Sequence, residues 1–484
     1  MASGGFMPPR IMIAAPCGRS GKTIVSIGLC DAFRRRGLAV QPFKKGPDYI
    51  DASWLSAASG VDCRNLDAFL MDEKTIIGSF ERVSNKADLV LIEGNMGIYD
   101  GIDIDGKGSS AHLSKLLATP VILVINTMRM SRSVAALIKG FQCFEPEINI
   151  AGVIINNVAG ERHKSKLIQS IEKYCDIPVV GAIPRIRSLN IAERHLGLIP
   201  FNESKTGSSF VEDIGAFVER HINLDAVLSI AKQAHDSHNA SSTISNPSDD
   251  KEDYQRSNAI VRVGVMFDRI FNFYYPENIE ALKTAGAEIV HIDSLQDRML
   301  PKVDALYIGG GFPELYIEEL SENKGLMHDI AVAIEDGLTV YAECAGLVYL
   351  SKGLRANNKL YNMVGIIPSE AEISRHPVGH GYIEGKIIYD NPFFPVGTLM
   401  RGHEFHHSKL SSVDGLQCAI TLKRGHGING TLDGIVYKNM FAAYTHIHAL
   451  STPGWADAFV ANILNERCFF KNTRMKTLEI RLKQ

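Results

Sequence analysis

The sequence predicts a two-domain α/β protein, and three observations carry that prediction. Short β-branched runs alternate with longer amphipathic stretches from Ile11 to about Leu228, the pattern of a parallel sheet covered by helices, and a second βα alternation starts at Arg262. The strand IMIAA runs directly into a glycine-bearing loop that an apolar helical stretch follows. Between the two alternations, residues 232–258 are polar and rich in Ser, Asn and Asp, so they read as a linker. The expected order is therefore a first domain over 1–231, the linker, a second domain over 259–466 and a short basic tail over 467–484.

In the first half the strands are expected at Ile11 to Ala15, Ala39 to Phe43, Leu89 to Glu93, Val121 to Asn126, Ile150 to Asn156 and Val179 to Ile183. In the second they are expected at Arg262 to Phe267, Glu288 to Ile292, Ala305 to Gly309 and Leu338 to Ala342, with a helix around Glu277 to Ala285. Composition narrows the class of protein. The 484 residues carry 51 Lys and Arg against 54 Asp and Glu, a net charge of −3, too balanced for a nucleic-acid surface or a polybasic membrane anchor. With 45% hydrophobic and 22% charged residues, no apolar run long enough to span a bilayer and no sustained heptads, a soluble globular chain is expected. Met1 to Arg10 has neither the basic flank nor the apolar core of a signal peptide, and eight cysteines occur without a CxxC pair. Both features point to a reducing cytoplasm.

The loop Pro16-Cys17-Gly18-Arg19-Ser20-Gly21-Lys22-Thr23 has the strand and helix flanks that a phosphate-binding loop needs, although Pro16 stands where the first glycine belongs. Gly18, Ser20 and Gly21 would cradle phosphate, Lys22 would reach its terminal oxygens, and Thr23 would hold Mg²⁺ through its hydroxyl. ATP and Mg²⁺ are the ligands this implies. Acids are wanted at the same sheet edge: Asp48 in KKGPDYID, Glu93 at the end of LVLIEG, and Asp100 in the glycine-rich GNMGIYDG. Thr23, Asp48 and Glu93 are the expected metal ligands.

Cys344, in Ala342-Glu343-Cys344-Ala345-Gly346, lies between a β-branched strand and a helical stretch, the setting of a nucleophile elbow, where the helix N-terminus is expected to lower the thiol pKa. Gly309, Gly310 and Gly311 end an earlier strand and could offer N–H groups to an oxyanion. A histidine far along the chain should serve as base, and Tyr444-Thr445-His446-Ile447-His448 supplies two.

These second-half features resemble a class I glutamine amidotransferase domain, with two departures: Ala342 stands at the first elbow glycine, and His448 stands where that class has a glutamate. The resemblance aligns His446 with the catalytic histidine. The phosphate loop, lacking a lysine at Cys17, resembles the dethiobiotin synthetase branch rather than the partitioning ATPases. Taken together, AAPCGRSGKT, KKGPDYID, EGNMGIYDG, GGFPE, the Cys344 elbow, RGHEFHHS and YTHIH resemble the cobyrinate a,c-diamide synthase family from residue 11 to about 465. The resemblance implies amidation of the a and c acetates of a tetrapyrrole carboxylic acid, using ATP and L-glutamine, through an acyl phosphate. Sirohydrochlorin, Ni-sirohydrochlorin or siroheme are alternative substrates within it, and a homodimer is compatible with it. A nucleotide-binding regulatory or scaffold protein with a degenerate glutaminase half is the reading from another class. The cluster of Arg401, His403, Glu404, His406 and His407 has no role assigned by sequence, and a metal site there is the less favoured reading.

Overall fold

The computed structural model describes residues 7–185, 193–194, 197–204, 206–238 and 261–465. Two compact units divide the chain, Met1–Asp250 and Lys251–Gln484.

The first unit is built on seven strands: β1 (Arg10–Ala14), β2 (Val40–Lys45), β3 (Arg64–Leu66), β4 (Leu89–Glu93), β5 (Val121–Asn126), β6 (Ile150–Val158) and β7 (Val179–Pro184). They pair in the order β3-β2-β4-β1-β5-β6-β7, all parallel. Strands β1, β2, β4 and β5 are buried almost throughout; IMIA, LVLI and VILVI accordingly read as apolar runs, whereas β2, VQPFKK, ends on two buried lysines. β1 lies between β4 and β5, so the loop after β1 and the acid that ends β4 emerge at one carboxyl edge. The three-residue β3 was not expected from the sequence. A two-residue ladder, β8 (Glu193–Arg194) with β9 (Gly197–Leu198), follows the main sheet.

The helix Lys22–Arg35 packs its buried face on helix Gly207–His221. Gly28 makes the close approach possible, since a Cβ there would lie 2.2 Å from Val218 Cγ2. Asp31, fully buried on the same helix, is held by Arg34 at 2.8 Å and Arg35 at 2.7 Å. Helix Leu224–His238 corrects the expected linker start: seven residues from Lys232 are helical. The rest of that linker and the basic tail lie outside the described residues.

In the second unit β10 (Val261–Met266), β12 (Ala287–Ile292), β13 (Ala305–Ile308), β15 (Thr339–Glu343) and β24 (Met440–Ala443) form a parallel half-sheet in the order β12-β10-β13-β15-β24. The same sheet continues antiparallel through β23 (Leu432–Tyr437), β22 (Cys418–Arg424), β19 (Gly379–Ile387) and β20 (Leu399–His406). A ladder of β11 (Phe271–Phe273) with β14 (Gly310–Gly311) flanks it, and a smaller sheet orders β17 (Lys359–Asn362), β16 (Ser351–Ala356), β18 (Ile367–Ile373) and β21 (Ser408–Leu410). Under the parallel half lies an aromatic layer, Tyr307, Tyr341, Phe393, Phe441 and Trp455, in which Tyr341 stacks on Phe441 at 5.7 Å. Replacing Gly28 with Ala should lower stability by about 1–3 kcal/mol, through overpacking against Val218. Denaturant unfolding of the two proteins side by side checks this.

Candidate functional site

At the phosphate loop, the turn needs a left-handed residue just before the helix, and Gly21 supplies it with φ 100°. A side chain at Gly21 is also barred sterically, because its Cβ would lie 2.4 Å from Asn156 Nδ2, the group that donates to Ser20 O at 2.9 Å. Gly18, by contrast, faces open space. Ser20 Oγ donates to Cys17 O at 3.0 Å. Lys22 Nζ donates to Met96 O at 2.8 Å and Cys17 O at 3.3 Å. Burial lowers its pKa, opposed by Glu93. Its donors thus rest on carbonyls.

Thr23 Oγ1 donates to Glu93 Oε1 at 2.7 Å and lies 3.4 Å from Asp51 Oδ2. Lys44 Nζ bridges the same two acids, at 2.5 Å from Asp51 and 2.9 Å from Glu93. Burial works against the Lys44 charge, but Asp51, Glu93 and Asp48 together raise its pKa well above normal. Burial raises the Glu93 carboxyl while Lys44 pulls it down. Glu93 Oε2 is buried and has no hydrogen-bond partner among the described residues.

The expected acids separate in the structure. Glu93 sits in this cluster. Asp48 reaches Lys44 only at 3.8 Å and accepts the Asp51 N–H at 2.9 Å, so Asp51 rather than Asp48 stands beside Thr23. Asp100 is exposed and accepts the Gly97 N–H at 2.8 Å, so it caps a turn outside the Thr23 cluster. Lys44, Asp51 and Asn156 were missed. The doubled lysine and second aspartate of KKGPDYID were the available signal for the first two; Asn156, within β6, gave none.

In the second unit Cys344 has φ 50° and ψ −100°, the strained backbone expected of a nucleophile elbow, and directly precedes helix Ala345–Leu350. Its N–H is anchored on Ala443 O at 2.7 Å, and Gly346 N–H on Gly309 O at 3.1 Å. The thiol does not show the lowered pKa expected of an elbow. Burial pushes it up, Glu314 adds to the effect, and the Ala345 N–H offsets only part. Gly309 is a second correction, because its N–H is spent on the Tyr274 hydroxyl at 2.7 Å and is not offered to an oxyanion. Gly310 and Gly311 pair with β11 opposite Phe273 and Phe271. A Cβ on Gly310 would lie 2.4 Å from His446 Cε1, so glycine there makes room for the imidazole.

His446 follows β24, the neighbour of the Cys344 strand. Its approach is fixed by buried Asp433, which accepts the N–H groups of Tyr444 and Thr445 at 3.0 and 2.9 Å. His446 Nδ1 lies 3.4 Å from Glu343 Oε2, and its ring stacks on His403 at 4.9 Å. His448 faces elsewhere: Nδ1 accepts the Leu450 N–H at 3.2 Å, and Nε2 lies 3.5 Å from Glu277 Oε2. In the histidine-rich strand, buried Glu404 accepts the N–H groups of His426 and Gly427 at 2.6 and 2.8 Å and lies 3.3 Å from His406 Nε2. Among the described residues no group of three or more His, Cys, Asp or Glu side chains is arranged to hold a metal ion.

Residues 11–199 match the family model of the CobQ/CobB/MinD/ParA nucleotide binding domain, and residues 262–454 that of the CobB/CobQ-like glutamine amidotransferase domain. A nucleotide-binding unit and an amidotransferase unit of these kinds in one chain make a glutamine-dependent amide ligase. A cobyrinate a,c-diamide synthase of Magnetococcus marinus is 42% identical over 467 residues, covering 96% of this chain and 98% of its own. Those of Listeria monocytogenes and Archaeoglobus fulgidus are 39% and 37% identical, covering 91% and 95% of this chain and 96% and 98% of theirs. The chain belongs to the cobyrinate a,c-diamide synthase family.

Burial, then the nearby Asp51, pushes the Asp48 carboxyl up from 3.8 to about 7, with Lys44 opposing. Across that window the folded chain keeps on Asp48 a proton that the unfolded chain has lost, so this group's contribution to stability should fall as pH rises from 3.8 to about 7. Asp48→Asn should flatten this part of the curve. Thermal midpoints of both proteins across the window check it, and parallel curves would refute the shift.

Proposed function

We propose that this chain uses ATP and glutamine to amidate the a and c acetate carboxylates of a tetrapyrrole acid, the reaction named for its relatives. The observation that carries the reading is that one chain holds both a phosphate loop set against Thr23, Asp51 and Glu93 and a strained cysteine elbow, with a buried histidine following the strand next to the elbow's own. A carboxylate is a poor electrophile, since oxide would have to leave. Its oxygen attacks the γ-phosphorus of ATP, ADP departs, and the acyl phosphate formed gives up phosphate to ammonia. Lys22, resting on two carbonyls, can hand its donors to phosphate oxygens.

Mg²⁺ fits this site: Thr23, Asp51 and Glu93 offer hard oxygens, and Glu93 Oε2 is one that no described residue uses. When bound with nucleotide it would supply positive charge against the phosphates. Lys44 meanwhile keeps the two acids together.

In the amidotransferase unit His446 takes the Cys344 proton as sulfur attacks the glutamine amide carbon. The proton then goes to the departing ammonia, and water hydrolyses the thioester to glutamate. The Ala345 N–H, with Gly310 and Gly311, forms the oxyanion-binding set in this reading. A cytoplasmic setting agrees with the seven described cysteines, all free thiols.

Lys22→Ala should abolish amidation with either nitrogen source, because both need the activated carboxylate. Mass spectrometry of tetrapyrrole acids, reading one OH-to-NH₂ exchange per carboxylate, checks it, and near wild-type turnover would remove Lys22 from the phosphate site. Cys344→Ala should lose all glutamine-dependent amidation and keep activity with concentrated ammonium salt at alkaline pH. Equal loss with both nitrogen sources in a folded protein would refute the division of labour.

A further inference from the structure

A histidine that is to take a thiol proton must present an unprotonated nitrogen to sulfur, so its other nitrogen needs a fixed acceptor. Neither neighbouring histidine supplies one. The ring nitrogens of His448 face elsewhere: Nδ1 accepts the Leu450 N–H, and Nε2 points to Glu277 Oε2 at 3.5 Å. His403 meets His446 face to face and turns its own Nδ1 to the Tyr275 hydroxyl at 3.2 Å.

Glu343, the residue immediately before the nucleophile, has the required position. Its Oε2 lies 3.4 Å from His446 Nδ1, and neither side chain is more than 2% exposed. The carboxylate is itself held on three sides. Tyr307 donates to Oε2 at 3.1 Å, while Tyr341 and the Ile447 N–H donate to Oε1 at 3.2 and 3.1 Å. Because Ile447 follows His446, one carboxylate addresses both the ring and the backbone that carries it. The two tyrosines belong to the aromatic layer, whose packing leaves their hydroxyls little freedom.

We propose that Glu343 is the positioning acid of the glutaminase, completing a Cys344, His446, Glu343 arrangement in which the acid comes from the nucleophile's own strand. The inference rests on the reading of Cys344 as the glutaminase nucleophile. With Nδ1–H directed at Glu343, Nε2 of His446 is the lone-pair nitrogen, and it lies on the side of Gly310, where a Cβ would come within 3.1 Å of it. The 3.4 Å separation is long for a hydrogen bond, as catalytic contacts often are until substrate closes the site.

The test uses the full chain with L-glutamine alone for hydrolysis, and with ammonium salt for ammonia-driven amidation. Glu343→Gln keeps the size of the side chain and removes its charge. It should lower kcat for glutamine hydrolysis by about 10²-fold or more, with KM for glutamine changed less than about 3-fold and ammonia-driven amidation retained. Glu343→Asp, which restores the charge on a shorter arm, should recover part of kcat. A wild-type kcat in Glu343→Gln overturns the proposal, as does loss of ammonia-driven activity in step with glutaminase, which would mark Glu343 as structural. Should Glu343→Gln not fold, the comparison falls to Glu343→Asp and Glu277→Gln: a selective kcat loss in the latter alone assigns the role to Glu277 and overturns the proposal, and a selective loss in the former alone supports it. Glutaminase activity surviving in Cys344→Ala would instead bring down the underlying reading of the nucleophile.

Discussion

One buried ammonium organises the nucleotide-binding unit. Lys44, at the end of β2, is almost wholly enclosed, and it stands between acids from two further segments, Asp51 at the start of a helix and Glu93 at the end of β4. Enclosing such a charge is costly unless opposite charges meet it at close range, and here two carboxylates do. The reverse also holds, since Asp51 and Glu93 would repel each other across the Thr23 hydroxyl without it. Two acids against one ammonium leave the pocket beside Thr23 with an excess of negative charge, while Lys22 remains on neutral carbonyls at its rim. In the proposed function, phosphate and a hard cation therefore have separate, oppositely charged places to go.

The amidotransferase unit reaches its arrangement by another route, through packing. The Cys344 backbone is held in a left-handed conformation by the N–H anchor on Ala443, and Gly310 clears the volume the imidazole occupies. Asp433 and Asn278 fix the segment after β24, the latter through Ile447 O at 3.0 Å and the Ala449 N–H at 2.7 Å. Neither residue needs to touch a substrate to matter. They hold the chain on both sides of His446, and the aromatic layer holds the carboxylate behind it.

The sequence made the sheets legible where strands are buried on both faces, because an apolar run such as VILVIN has no other economical home. It was silent over the antiparallel half of the second sheet, where GHGYIEGKI mixes glycine, charge and aromatic residues on strand β19. The glycine-lysine-threonine end of the loop and the cysteine elbow were readable as local motifs. What was not readable was which side chains converge from different strands. Lys44 and Asp51 lay in plain view inside KKGPDYID, yet spacing alone does not say which of its two aspartates turns toward Thr23. Glu343 carries the same signal as Glu93, a carboxylate ending an apolar strand, but nothing local says that it turns toward a histidine a hundred residues further on. Gly309 misled for the opposite reason, since a partner as distant in sequence as Tyr274 takes its N–H.

The buried state of Cys344 bears on how long the protein lasts. Peroxide and most electrophiles react with thiolates rather than thiols, and oxidation past the sulfenic acid is hard to reverse. Cys344, 6% exposed and with burial pushing its thiol pKa up, is screened from both. In the proposed function, the enclosure that leaves deprotonation to His446 also shields the nucleophile from chemical ageing, an advantage for a residue whose alteration would silence the glutamine-using half of the chain.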